Sequence, residues 1–160
     1  MKKKRIVRHL RFPTYLSVIK NSVGSEMFRH SYADINGEKT DITKDGHLSC
    51  TFYVSSILKM FGLIKEVHTT VAGGIKDLEE SGWIKIKEPR LGCILLWEPK
   101  TFGGNKVHMH LGFYLGNGKA ISNDEKAHVP KISHWTNGRD KEGKPTREVI
   151  AIYWHKDLEK

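Results

Sequence analysis

Cys50, Val54, Ile57, Leu58 and Phe61 recur at the spacing that puts side chains on one face of a helix. Gly62 follows them, and glycine ends helices readily because it accepts left-handed backbone without steric cost. Ser49 stands at the N-cap position, so the pattern predicts Cys50 in the first helical turn. A second helix is predicted from Thr70 to Gly82, with Val71, Ile75 and Leu78 on one side. Gly73 and Gly74 weaken it by ~1 kcal/mol each relative to alanine.

From Trp83 onward the pattern changes to short apolar runs bounded by Gly, Pro or Asn. It predicts strands over 83–86, 93–97, 110–115, 119–123 and 148–154. Leu115-Gly116-Asn117-Gly118-Lys119 reads as a tight hairpin connection. Upstream, residues 27–42 read as a hairpin turning on Asn36-Gly37, with Phe28, Tyr32 and Ile35 as strand-type residues. Residues 43–47 form a polar turn around Asp45-Gly46, and 136–147 read as an exposed loop. Residues 1–24 are basic and mixed and read as an arm that docks loosely, ahead of a single domain over 25–160. Helices first and strands afterwards predict an α+β fold with an antiparallel sheet of about five or six strands.

The 160 residues are one domain's worth, and 38% hydrophobic against 28% charged residues permits a packed core. No apolar run approaches the ~20 residues of a membrane-spanning helix. No internal repeat is present. A formal charge of +9, with Lys2, Lys3, Lys4, Arg5, Arg8 and Arg11 crowding the start, implies attraction to an anionic polymer. A nucleic-acid platform would alternate aromatic and basic residues on one sheet face, and these strands are too apolar for that. The basic start is not followed by an apolar stretch and cleavage site, so the chain as given has no export signal. A cytoplasmic setting is the expectation, with the cell wall and exterior left open.

Two cysteines make no disulfide framework. A thiol in the first turn of a helix meets unpaired backbone N–H groups and the positive end of the macrodipole, which favour the nucleophilic thiolate. Cys50 has that position; Cys93 starts an apolar strand and reads as packing. A nucleophile needs a base within reach. Of nine histidines, His110 is the best placed, opening a strand in which Gly112 leaves room for a close neighbour. His108 and His110 share a strand face, but no Cys or carboxylate stands at a metal-ligand spacing from them, so no metal and no cofactor are expected. Trp83, Trp97 and Trp154 read as core or sheet-edge aromatics, and His134-Trp135 as a rim aromatic with a satisfied histidine.

Three segments together resemble NlpC-type cell-wall cysteine peptidases of the papain-like superfamily. Leu48-Ser49-Cys50-Thr51-Phe52-Tyr53-Val54 is similar to that family's nucleophile segment, and Leu91-Gly92-Cys93-Ile94-Leu95-Leu96-Trp97 to its "pGDlvff" strand. Residues 110–118 resemble its "HVGIYLGNG" hairpin. The resemblance spans about residues 45–125. It departs from the family at Ser49, Thr51 and Cys93, and only Tyr32 stands in the region of the family's oxyanion tyrosine.

What the resemblance implies is a papain-like fold and a Cys50–His110 hydrolase cutting an amide in peptidoglycan stem peptides. A third residue about twelve positions after the base would orient the imidazole. A two-residue turn at Asn117-Gly118 would pair Tyr114 with Ile121 and put Asn123 on the His110 face; a three-residue loop would put Ser122 there. Asn123 is favoured, with Ser122 as the alternative. A thiolate–imidazolium pair would depress the thiol's pKa and raise the histidine's. The competing reading is a catalytically silent module of the same fold, holding a polyanion through its basic surface.

Overall fold

The computed structural model describes residues 5–101 and 107–160. Among the described residues three α-helices, α1 (Arg11–Asn21), α2 (Cys50–Met60) and α3 (Val71–Glu80), accompany eight strands. The strands are β1 (Tyr32–Ile35), β2 (Glu38–Asp41), β3 (Ile84–Lys85), β4 (Ile94–Thr101), β5 (Val107–Gly116), β6 (Lys119–Asp124), β7 (Val129–His134) and β8 (Val149–Trp154). β1 and β2 form the hairpin expected at Asn36-Gly37. The other six form one antiparallel sheet in the order β3-β8-β4-β5-β6-β7. The chain is therefore α+β, as the run of helices before strands implies. No helix among the described residues is long and apolar enough to cross a membrane.

Much of the core lies between the helices and one face of the sheet, while Leu95, Trp97 and Ile152 are buried on the other face. Tyr53, Val54, Ile57 and Leu58 of α2 meet Ile94, Leu111, Phe113 and Ile121 of the central strands. Tyr53 and Phe113 pack edge to face at 5.5 Å, an aromatic pair worth ~1 kcal/mol beyond its area. α3 comes close to the start of α2 because Gly74 has no side chain; a Cβ there would lie 2.8 Å from Thr51 Cγ2. The glycine that weakens α3 as a helix is what allows it to pack.

The expected loose arm is corrected from Arg11 onward. Phe12, Tyr15, Leu16 and Ile19 fall at i, i+3, i+4 and i+7, and α1 buries Tyr15 and Ile19 completely. The Tyr15 hydroxyl donates to the Gly92 carbonyl at 2.8 Å. Each buried side chain contributes about 1.5–3 kcal/mol, which outweighs the repulsion among the neighbouring cations. Residues 5–10 keep the exposed character expected of an arm, with Ile6 and Val7 open to solvent.

The loop expected over 136–147 is present and exposed from Arg139 to Pro145, but its two ends are packed. Thr136 and Arg147 are buried, the Arg147 N–H donates to the Thr136 carbonyl, and Arg139 bridges Pro145. β7 was not expected. It is an edge strand, which tolerates Pro130 and carries only that one buried side chain.

Candidate active site

α2 begins at Cys50, but Ser49 does not cap it through its side chain. The Ser49 hydroxyl donates instead to the Phe28 carbonyl, tying the helix start to the segment before β1. The first-turn N–H groups are left without a side-chain cap, and Cys50 stands half-buried among them. Its thiol lies 3.8 Å from the Thr51 hydroxyl.

The segment entering α2 is held from several sides. Lys44, Asp45 and Gly46 have successive positive φ angles of 50°, 56° and 82°. Glycine is required at the last, where a Cβ would meet the His128 carbonyl at 2.7 Å. Asp41 accepts hydrogen bonds from the Ser31, Thr43 and Asp45 N–H groups and from the Thr43 hydroxyl, and pairs with His30 at 2.7 Å. Burial alone would raise its carboxyl; these hydrogen bonds hold it well below the usual carboxylate range. The wall opposite is pinned by Asp77, which accepts from the Lys65 and Glu66 N–H groups and the Ser81 hydroxyl and pairs with His68.

His110 lies on β5 directly opposite Trp97 of β4, with the rings 5.4 Å apart. Cross-strand partners share a face. His110, Gly112 and Trp97 therefore face away from the helices, whereas Leu111 and Phe113 face them. Gly112 is needed here: a Cβ would lie 2.6 Å from the Ile121 carbonyl and 2.9 Å from the Trp97 ring. Trp97 is fully buried, and its indole N–H donates to the Trp135 carbonyl at 2.7 Å. Gly112→Ala is expected to destabilise the fold by about 2–3 kcal/mol, because the clash is with backbone and a locked indole. Chemical denaturation of the variant checks this; a loss under 0.5 kcal/mol, on the order of surface substitutions, would show that the strands part easily.

The β5–β6 register decides the third residue. Asn117-Gly118 is a two-residue turn joining Gly116 to Lys119, as one branch of the sequence argument has it. A bulge between Tyr114 and Gly116 then shifts the ladder, so Tyr114 pairs with Ala120 and Gly112 with Ser122. Ser122 shares the His110 face and Asn123 does not. Asn123 is buried, its Nδ2 donates to the Gly46 carbonyl at 2.7 Å, and its Oδ1 is sealed from solvent with no hydrogen-bond partner among the described residues.

The β5–β6 ladder begins at Gly112–Ser122, and two cavities meet beyond that end. One, of about 510 Å³, is lined by Cys50, Thr51, Thr70, Val71, His108 and His110. The other, of about 430 Å³, lies over the opposite face and includes Ser122, Lys100, Lys131 and Arg147. His110, Asn123 and Glu125 line both. Cys50 and His110 are thus brought to one cavity, although no hydrogen bond joins them among the described residues. Tyr32 is not brought there; it is 56% exposed on the hairpin, stacked on His30 with Lys39 over its ring. Cys93 is fully buried, and burial pushes its thiol up to about 12.

The electrostatics reverse the expected ion pair. Burial pushes the Cys50 thiol up, against the Leu111 and Thr51 N–H groups, the Thr51 hydroxyl and the Arg147 charge, which pull it down. Burial, and then the Arg147 charge, push His110 down to about 3, with Asp124 opposing. At neutral pH the pair is a thiol and a neutral imidazole. A helix terminus and a nearby histidine are not enough to ionise a cysteine when the imidazole is buried and the thiol is shielded from much of its water.

Arg147 was missed by sequence reasoning. Its Nε donates to the Glu98 carbonyl at 2.9 Å and an Nη to the His108 carbonyl at 2.6 Å. It is 3% exposed and senses both Cys50 and His110. No local pattern marks it, because it closes a polar loop and is buried only by strands distant in the chain.

Comparison of the chain with protein-family models and with curated proteins finds no match.

Proposed function

We propose that the protein is a cysteine hydrolase of papain-like, NlpC type that cleaves an amide bond, with Cys50 as nucleophile and His110 as base. The observation that carries this reading is the convergence of Cys50, at an open helix start, and His110, three residues into β5, on one cavity. The pair starts neutral, so His110 acts as a general base, taking the thiol proton as sulfur attacks the carbonyl carbon. The Cys50 N–H, at an uncapped helix start, donates to the developing oxyanion. The imidazolium then protonates the leaving amine, and water hydrolyses the thioester with His110 again as base. Ser122, on the His110 face, is the orienting residue in this reading, and Asn123 instead ties β6 to the segment entering α2.

The sequence resemblance makes a peptidoglycan stem peptide the substrate, and the +9 charge suits an anionic wall polymer. Soluble peptidoglycan fragments incubated with the protein should release new amino termini, read by mass spectrometry. The raised Cys50 thiol favours a second reading, a silent module of the same fold that holds a polyanion. Binding of the fragments without any new amine, identical in wild type and Cys50→Ala, would select it.

A further inference from the structure

Thr51 follows the nucleophile in the first turn of α2, buried on the wall of the Cys50 cavity. A helical threonine can turn its hydroxyl back to a carbonyl three or four residues earlier. This one does not. Among the described residues its hydroxyl has one hydrogen-bond partner, the Cys50 sulfur at 3.8 Å. Its methyl group is seated against α3, where Gly74 leaves it room; a Cβ on Gly74 would lie 2.8 Å from that methyl. Methyl and hydroxyl share one Cβ, so seating the first fixes where the second stands.

Burying a hydroxyl is unfavourable unless a hydrogen bond offsets it, and a neutral thiol is a weak partner as donor or acceptor. Valine has the same shape and would fill this place without that cost. The bond to sulfur becomes strong only when the sulfur carries negative charge. It therefore gains strength along the reaction, which is the condition for an interaction to speed chemistry. We propose that Thr51 is a further catalytic residue: its hydroxyl donates to the Cys50 sulfur as charge gathers there, and Gly74 positions it by receiving its methyl. The proposal rests on the hydrolase reading. Charge gathers on sulfur first as His110 takes the thiol proton, and again when water displaces the sulfur. In that second step a water proton passes to His110 and the water oxygen bonds the carbonyl carbon. The carbon–sulfur bond breaks with its electron pair on sulfur, and the imidazolium returns the proton to it. The Leu111 N–H also donates to the sulfur, so losing the hydroxyl removes part of the support and not all of it.

The test is the rate of Cys50 alkylation by iodoacetamide against pH, with modification assigned to Cys50 by peptide mass. The reagent is uncharged and needs the thiolate, so the profile follows the charge on the sulfur. Thr51→Val should move the rising limb up by about one pH unit, which makes alkylation about tenfold slower at a fixed pH below it. Its urea midpoint should not fall, because valine keeps the methyl against Gly74 and removes a weakly bonded hydroxyl. Thr51→Ser should bring the limb at least halfway back to its wild-type position, since it keeps the hydroxyl and loses only the methyl.

If Thr51→Val fails to fold, Thr51→Ala and Thr51→Ser carry the comparison. Both lack the methyl and only serine keeps the hydroxyl, so the alanine limb should lie above the serine limb. Coincident profiles for wild type and Thr51→Val, or for the alanine and serine variants, overturn the role of Thr51. So does a Thr51→Ser limb no nearer the wild type than that of Thr51→Val. Each of these leaves the hydrolase reading intact, since that reading is tested by the release of new amino termini. A Cys50 that iodoacetamide modifies at no pH overturns both.

Discussion

Alanine at position 50 is expected to lower amide hydrolysis by about 10³-fold or more, while folding stability changes by no more than about 1 kcal/mol. The nucleophile cannot be replaced by a methyl group, and the side chain lost is small, half-buried and at a helix end. Alanine is also the best helix former, which offsets part of the lost packing. Cys93→Ala should behave in the opposite way. Cys93 is fully buried between α1 and the sheet, near the Tyr15 ring, so truncation should cost about 1 kcal/mol through a cavity. It should leave turnover nearly unchanged. Rates on peptidoglycan fragments and urea midpoints of both variants separate the two roles. Equal loss of activity at equal stability would show that the thiols share a function and that Cys50 is not the sole nucleophile.

Local chemistry wrote much of the fold legibly. The 50/54/57/58/61 stripe, the Gly62 stop, the Asn36-Gly37 turn and the central apolar strands depend on near neighbours, and each is where the pattern puts it. α1 carried an equally plain stripe at Phe12, Tyr15, Leu16 and Ile19, but the basic run ahead of it suggested a solvated arm. The stripe was the better guide, because charge at a helix's exposed face does not oppose burial of the other face. β7 was hidden by Pro130 and by its place at the sheet edge, where alternation of apolar and polar residues is not enforced.

The site was legible in its first two members and not in its surroundings. Cys50 follows from a helix start, which is local, whereas His110 lies inside β5, which begins at Val107 and not at the histidine as the apolar pattern had it. The partner of His110 depends on a one-residue bulge after Tyr114 that inverts which of Ser122 and Asn123 shares its face, and nothing in Leu115-Gly116-Asn117-Gly118 requires that bulge. Arg147, which helps to hold the imidazole neutral, is placed by contacts with Glu98 and His108, 49 and 39 residues away. Desolvation is a property of the assembled fold, and it shifts both side chains in the direction opposite to that expected of a thiolate–imidazolium pair.

That sign has a consequence for stability in mild acid. His110 titrates at about 3 in the folded protein, whereas an unfolded histidine titrates at ~6.5. Below pH ~6.5 the unfolded chain takes up a proton that the folded chain does not, and the folded state loses ground. The loss approaches ~1.4 kcal/mol for each further pH unit and levels off below the folded value of about 3. Between pH 6.5 and 4.5 it should amount to about 2 to 3 kcal/mol. Asp41 and Asp77 act lower. Hydrogen bonds hold their carboxyls below the usual range, so the stability they contribute is present above pH ~4 and is lost as pH falls further. The window from 6.5 to 4.5 therefore isolates the histidine from those two carboxylates. Urea midpoints of wild type and His110→Gln should diverge there, with the variant losing less stability per pH unit because its buried amide does not titrate. Arg147→Gln should shorten the wild-type limb, since its charge helps to hold the imidazole neutral. Parallel stability profiles for wild type and His110→Gln across that window would mean that His110 takes up its proton as easily in the fold as out of it. The neutral thiol–imidazole pair, and the general-base mechanism built on it, would then give way to the ion pair.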